Sequence, residues 1–458
     1  MIRPLLVPCV LLMSSCYNQP GAGGSGSLGD SSGGTASSTS AETTASSADD
    51  ATATSTTMTS TTMTSTTMTS TTDETSVATQ TDESGSGSDS TTVTEDPGCL
   101  DGLFAGDAPP FGAAEQIATL YNTQGVEIVD VDDDGDNDLL LGDFGDQGAN
   151  QPGVYFMAGS GDGTFSAPVK LPGGDAPTIR IAAAAIADDT IDVVGLVALP
   201  PNFSIIVRRW RGNGDGTFLA PTDYPAASDW DVFLADVNGD GRRDLLGTNS
   251  AGARVSVASA AETFGVPSDF GGMPTVNAIK SADLDGDGDG DIVSGTTDQL
   301  GVLLGNGDGT FADIVIYPFE GSIADILIAD FDGDGALDVG ATWDAIVGVW
   351  PGDGSGAFGE ISELTVQGST LAAATPDFDG DGCADIAVFN NSGSVSTIMG
   401  RDEFTFTTQE VFNIVPVGYA YDLAAGDVDG DQIADIVGVT ADGSPDTGGE
   451  IFLLRSAG

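Results

Sequence analysis

The chain has 458 residues, of which 70 are acidic, 12 are basic and none is histidine, for a formal net charge of -58. So acidic a protein repels nucleic acid and anionic lipid headgroups, which argues against both as partners. The missing histidine removes the commonest metal ligand and general base, and with it any Ser-His-Asp triad.

The N-terminus opens with Met1-Ile2-Arg3-Pro4, a basic tip, followed by an apolar run from Leu5 to Met13. That run is too short to span a bilayer and has the proportions of a secretory signal. It ends in Met13-Ser14-Ser15-Cys16, which resembles a bacterial lipobox with Met where Leu is usual. The resemblance implies that residues 1–15 are a lipoprotein signal peptide and that Cys16 carries the lipid. Tyr17, rather than Asp, after that cysteine implies sorting to the outer membrane if the source is Gram-negative. An exported chain, lipid-anchored at the outer membrane or cell surface, is the expectation. The alternative is an ordinary signal with an incidental cysteine.

Residues 16–98 are Ser, Thr, Gly and Ala with scattered acids, no Lys or Arg, and no aromatic beyond Tyr17. Such a segment cannot bury enough apolar area to offset backbone entropy, so disorder is expected. As a flexible coil it reaches about 50 Å, enough to hold a folded part off a membrane.

Residues 99–458 carry a repeat. The run Asp130-Val131-Asp132-Asp133-Asp134-Gly135-Asp136-Asn137-Asp138 has the form D-x-D-x-D-G-x-x-D and recurs from Asp236, Asp283, Asp330, Asp377 and Asp427. The steps are 106, 47, 47, 47 and 50 residues, and a fixed period of this length marks a repeat architecture. Each acidic loop lies between two apolar strands, as in Val126-Glu127-Ile128-Val129 and Leu139-Leu140-Leu141. A third strand ends in a second turn, Gly159-Ser-Gly-Asp-Gly-Thr-Phe165, which returns at Gly212 to Phe218 and Gly305 to Phe311 and, loosely, at Gly352 to Phe358. A polar fourth strand follows, and four short up-down strands make a propeller blade. The 106-residue step hides a blade around Ile186-Ala187-Asp188-Asp189-Thr190-Ile191-Asp192, whose loop is shortened, giving seven blades in an all-β fold. The segment Phe111 to Leu120 reads as a fourth strand without its first three, and Glu450 to Leu454 as a third strand without a fourth. Their pairing would close the ring and remove exposed edges.

These motifs resemble the FG-GAP/VCBS repeats of integrin α-subunit propellers and of many secreted bacterial proteins. The resemblance covers nearly all of 111–458 and implies a seven-bladed propeller with calcium in the loops joining first and second strands.

The residues independently point to a metal. Carboxylates at loop positions 1, 3, 5 and 9, with a carbonyl at 7 and Gly at 6 for the turn, make an all-oxygen cage that suits Ca²⁺ over Mg²⁺. Blade one offers Asp130, Asp132, Asp134, Asp136 and Asp138; blade three offers Asp236, Asn238, Asp240 and Asp244. Blade four has Asp283, Asp285, Asp287 and Asp291; blade five has Asp330, Asp332, Asp334 and Asp338. Blade six has Asp377, Asp379, Asp381 and Asp385; blade seven has Asp427, Asp429, Asp431 and Asp435, with Gln432 putting its turn in question. About six structural Ca²⁺ sites are expected, and none in blade two. An EF-hand is rejected, because position 12 is Leu141 and the flanks are strands. The competing reading is a set of Asp/Gly turns that bind nothing, whose clustered carboxylates would repel one another.

Cys383 lies in the blade-six loop and Cys99 precedes the closing strand, so a disulfide between them is a candidate. The face opposite the acidic loops is rich in aromatics, with Tyr121, Trp230, Trp343 and Tyr421 as candidate ligand contacts, alongside Phe144, Tyr224, Tyr317, Phe319 and Tyr419; the alternative for each is packing between blades. Arg208, Arg209 and Arg211 around Trp210 form either a basic spot for an anionic ligand or internal ion pairs. The expected function is a calcium-stabilised cell-surface binding or adhesion module for a glycan or protein, monomeric and touching membrane only through its lipid. The alternative is a lyase or dehydratase acting on polysaccharide, for which no separate catalytic motif is evident.

Overall fold

The computed structural model describes residues 111–145, 151–200, 202–224, 231–249, 252–260, 263–270, 276–401, 404–407, 409–414, 419–441 and 449–456. Residues 1–98, expected to be a signal segment and tether, together with Cys99 and Trp230, lie outside these residues, as do the structural expectations attached to them. No α-helix occurs among the described residues.

Seven four-stranded antiparallel sheets form the seven blades. Blade one runs Thr123–Val129, Asp138–Asp143, Gly153–Met157 and Val169–Lys170, each strand paired with the next. Blade two, hidden in the long step, is complete: Thr178–Ala185, Ile191–Leu199, Ser204–Trp210 and Thr222–Tyr224. Blades three to six start on Val232–Ala235, Ala278–Ala282, Asp325–Ala329 and Thr370–Ala374. Blade seven takes three strands from the end of the chain, Tyr419–Gly426, Asp435–Ala441 and Gly449–Leu454. Its fourth is Glu115–Leu120, which pairs antiparallel with Gly449–Leu454 from Glu115↔Leu453 to Leu120↔Gly449. Strand pairing thus closes the ring between the N-terminal and C-terminal ends of the described chain. First strands touch the first strands of both neighbouring blades all the way round, blade seven to blade one included, so they line the axis.

The position of each strand explains its sequence. Second strands lie inside a blade and are covered on both faces, so they read as continuous apolar runs such as Leu139-Leu140-Leu141, all fully buried. The core lies between blades: Leu300 and Val302 of blade four meet Val339 and Trp350 of blade five. Fourth strands are half-exposed and are held by aromatic edges instead. Tyr224 packs on Phe264, Phe270 on Phe311 and Tyr317 on Phe358, with ring centroids 5.0 to 5.7 Å apart. Phe311 and Phe358 are the last residues of the second turn signature, so that turn fastens the outer strand of the preceding blade.

Trp343 corrects an expectation. It is 1% exposed and packs on Phe319 and Trp350, with centroids 4.8 and 6.2 Å away. It closes a doubly covered second strand, and a Cβ at Gly321 would come within 2.1 Å of its ring. Trp343 is therefore a packing residue and not part of an outward-facing ligand surface. Tyr224, Tyr317 and Phe319 are also spent on packing between blades.

Candidate functional site

Each acidic loop is folded by its own carboxylates. The position-1 Asp accepts the N–H of position 6 at 2.7 to 3.1 Å in all six loops. The position-5 Asp turns Oδ1 to the N–H of position 7 at 2.7 to 3.0 Å, again in all six. These short-range bonds require left-handed backbone at position 6. Gly135, Gly241, Gly288, Gly335 and Gly382 supply it with φ between 80° and 93°. Gln432 takes φ 72° and keeps the same turn, so blade seven folds its loop despite lacking the glycine. Position 4 has the same requirement, met by Gly in five loops and by Asp133 at φ 59° in blade one. The recurrent Gly at position 4 was the available signal for this second left-handed residue.

The position-9 Asp has a role that spacing alone did not expose. Its Oδ2 accepts the N–H of position 2 at 2.6 to 3.2 Å. Its Oδ1 accepts an N–H at or near the blade's other turn, such as Gly159, Gly305 or Ser456, at 2.7 to 2.9 Å. It therefore brackets two turns together. Burial pushes these carboxyls up against the opposing pull of the N–H donors. Asp244, Asp291 and Asp435 rise to about 6, Asp338 to about 7 and Asp385 to about 8.

In five loops, carboxylate oxygens of positions 1, 3 and 9 lie within 4.8 Å of one another: Asp130, Asp132 and Asp138; Asp283, Asp285 and Asp291; Asp330, Asp332 and Asp338; Asp377, Asp379 and Asp385; Asp427, Asp429 and Asp435. Each set could hold a metal ion. Blade three has Asn238 at position 3 and so brings only Asp236 and Asp244. The position-5 carboxylates are not in these groups, nor is Asp136, whose oxygens face Gly161 of the following turn. Three position-3 oxygens, Asp132 Oδ1, Asp379 Oδ2 and Asp429 Oδ1, are buried with no hydrogen-bond partner among the described residues. Burial and then neighbouring carboxylates push Asp132 and Asp429 up. A buried oxygen left unpaired is costly, and a hard cation among oxygen donors would satisfy it. The residues present fit such an ion.

Blade two departs from this pattern in a way that explains its lost loop. Asp192 occupies the position-9 site and accepts the Gly212 N–H at 2.8 Å. Its other oxygen is bound by buried Arg209, through Nε at 2.9 Å and also through Nη2. Arg211 pairs with Asp188 at 2.8 Å, and Arg208 makes a two-pronged pair with Asp223 at 2.6 and 2.9 Å. The three arginines are thus internal counter-charges. Cys383, in the blade-six loop, is disulfide-bonded, and its partner lies outside the described residues.

A second polar group occupies the axis. Glu127, Arg180, Lys280, Asp325 and Asp422 sit on first strands, and Asp231 immediately precedes one. Asp231, Asp325 and Asp422 stitch alternate blades by accepting the N–H groups of Ile279, Ala373 and Val126 in the next blade, at 3.0 to 3.1 Å. Arg180 donates to the Gln124 carbonyl at 3.1 Å. Lys280 lies over the Phe233 ring at 5.1 Å, beside a cavity of about 400 Å³ also lined by Leu327 and Ala374. Burial pushes Glu127 up to about 8, although Lys280 pulls it down. Lone charged residues within apolar first strands, as in Val126-Glu127-Ile128, were the sequence signal for this group. Tyr121 lies in the connection between Glu115–Leu120 and Thr123–Val129, and Tyr421 packs partly against the blade-one and blade-seven core.

Residues 283–341 and 377–438 match the FG-GAP-like repeat family. No curated protein matches the sequence significantly. Among solved structures, an Agrocybe aegerita lectin specific for non-reducing terminal N-acetylglucosamine is similar at 21% identity and TM-score 0.50, over 74% of this chain and 88% of that one. The BP39L lectin of Burkholderia pseudomallei is similar at 13% identity and TM-score 0.53, over 74% and 98%. BBS1N, solved in complex with ARL6DN, is similar at 15% identity and TM-score 0.50, over 76% and 98%. At these identities the likeness is one of fold.

Proposed function

We propose that this seven-bladed propeller of FG-GAP-like repeats is a calcium-stabilised binding module, exported, anchored by a lipid on Cys16 and held off the membrane by residues 16–98. The carrying observation is the repeated oxygen cage with its unpaired buried oxygens. Asp130, Asp132 and Asp138, and their counterparts in blades four to seven, would hold the ions, with blade three a weaker set. Calcium there supplies the positive charge that lets each cluster stay ionised while its loop remains folded. The residues' own part is to shape the loop, through position-1 and position-5 bonds, and to tie it to the neighbouring turn through position 9.

The ligand is proposed to be a glycan or an extracellular protein bound away from the acidic loops. Two propellers of this fold are lectins and a third is solved with a protein partner, which makes these the first ligand classes to test. With Trp343 withdrawn into the core, Tyr121 and Tyr421 remain as candidate aromatic contacts among the described residues, and Trp230 stays a candidate on its sequence position alone. A glycan and surface-protein array probed with the full chain, with and without EDTA, tests this. Retention of a ligand without product supports binding; release of unsaturated sugars from an acidic polysaccharide would replace binding with lyase chemistry.

A further inference from the structure

The six acidic loops are not equivalent in charge. In every loop the position-5 carboxylate commits Oδ1 to the N–H of position 7 and keeps Oδ2 for another partner. In blades one, four, five and seven that carboxylate is exposed and makes no ion pair among the described residues. In blade six it is Asp381, 2% exposed, and Oδ2 accepts Arg401 Nη1 at 2.9 Å. Arg401 Nη2 lies 2.7 Å from Asp379 Oδ2, at position 3. Position 3 is where blades one, six and seven each leave a buried oxygen without a hydrogen bond, and in blade six a guanidinium nitrogen lies beside that oxygen at ion-pair distance. The guanidinium therefore makes direct ion pairs with loop carboxylates at positions 3 and 5, which the loops of blades one, four, five and seven do not have among the described residues. Arg401 gets there because blade six replaces the glycine-rich second turn with a small hairpin, Gly400–Arg401 paired to Thr405–Phe406. Blade three has a milder version: Arg242 pairs with Asp240 of its own loop, and Asn238 removes one carboxylate.

We propose that Arg401 is a resident cation of the blade-six loop, anchored on Asp381 and competing with calcium for Asp379, so that this site binds the ion more weakly than the loops of blades one, four, five and seven, whose carboxylates make no ion pair with arginine among the described residues. The proposal rests on the reading of the loops as calcium sites. An incoming ion must compete with the guanidinium for the Asp379 carboxylate and bear the repulsion of a positive charge beside the cage, so blade six should bind about tenfold or more weakly than blades one, four, five and seven. Blade two, with Arg209 and Arg211 and no cage, is the end point of the same substitution of arginine for ion.

The test is calcium titration of the full chain by calorimetry, with bound metal counted after equilibrium dialysis, for wild type, Arg401→Gln and Arg401→Lys. Lys170→Gln, which breaks an exposed pair with Asp175 away from the loops, is the control. Arg401→Gln should move one ion from the weak class into the tight class, with at least a tenfold gain at that site. Arg401→Lys, which keeps the charge but loses the planar fork, should gain less. Circular dichroism establishes that each variant is folded. One class of equivalent sites, with the same count in wild type and both variants, would overturn the role of Arg401 and leave the calcium reading intact. No bound calcium in any of the proteins would overturn the calcium reading itself.

Discussion

Gln432 illustrates how a single residue can be strained and still keep its loop. It holds left-handed backbone where the other five loops use glycine. A side chain there costs about 1 kcal/mol, so Gln432→Gly should stabilise the protein by about that much in urea or thermal unfolding. Glu127 makes a different residue-scale prediction. Its carboxyl, pushed up to about 8 by burial, faces Lys280 and Asp422, with Asp231 nearby. Between the unfolded value near 4.5 and the folded value, the native state holds a proton that the unfolded chain has released. Its contribution to stability is therefore complete below about pH 4.5 and is lost as pH rises through 8. The melting temperature of Glu127→Gln relative to wild type should rise between pH 5 and pH 8; a constant difference would count against the shift. At this scale the carboxylates of positions 1, 3 and 9 were legible because their spacing is regular. The burial of Trp343 was not, because an aromatic at a strand end reads alike whether it faces out or packs into the next blade.

At the scale of the element, a blade is four strands fastened by two turns, and position 9 ties those turns together. Blade two shows what the tie requires once the cage is gone. Asp192 is buried and its charge is matched by Arg209. Arg209→Met leaves that carboxylate buried and unpaired and should cost about 3–5 kcal/mol, whereas the double variant Asp192→Asn, Arg209→Met should recover much of the loss. A denaturant series on the two variants decides it; equal destabilisation would mean that Arg209 acts through packing alone. Strand order and blade count were legible from the period and from the switch between apolar runs and Gly/Asp turns. The bracket at position 9 was not, because both of its partners are backbone N–H groups, and any sequence offers those. The aromatic edges between blades were half legible: the recurring Phe was visible, but its partner lies some forty residues upstream on a strand with no fixed motif.

The whole molecule is a ring whose closure joins Glu115–Leu120 to Gly449–Leu454, and whose axis is ringed by first strands. Closure was legible because each end carries the part of a blade that the other lacks. The charged axis was not, since its members come from different blades and no spacing connects them. On this ring the acidic loops share one requirement, a counter-charge, which blade two meets with arginine and blade six meets in part. For the remaining loops calcium is the proposed answer. At ten times its dissociation constant each ion adds about 1.4 kcal/mol, so the four tight sites of blades one, four, five and seven add about 6 kcal/mol. For a domain of this size that corresponds to a rise in melting temperature of about 8 °C. The direct measurement is a thermal melt of the full chain in EDTA and in millimolar calcium. The predicted result is a gain of about that size with calcium, reversed by EDTA; the same melting temperature in both conditions would contradict the assignment of the loops to calcium.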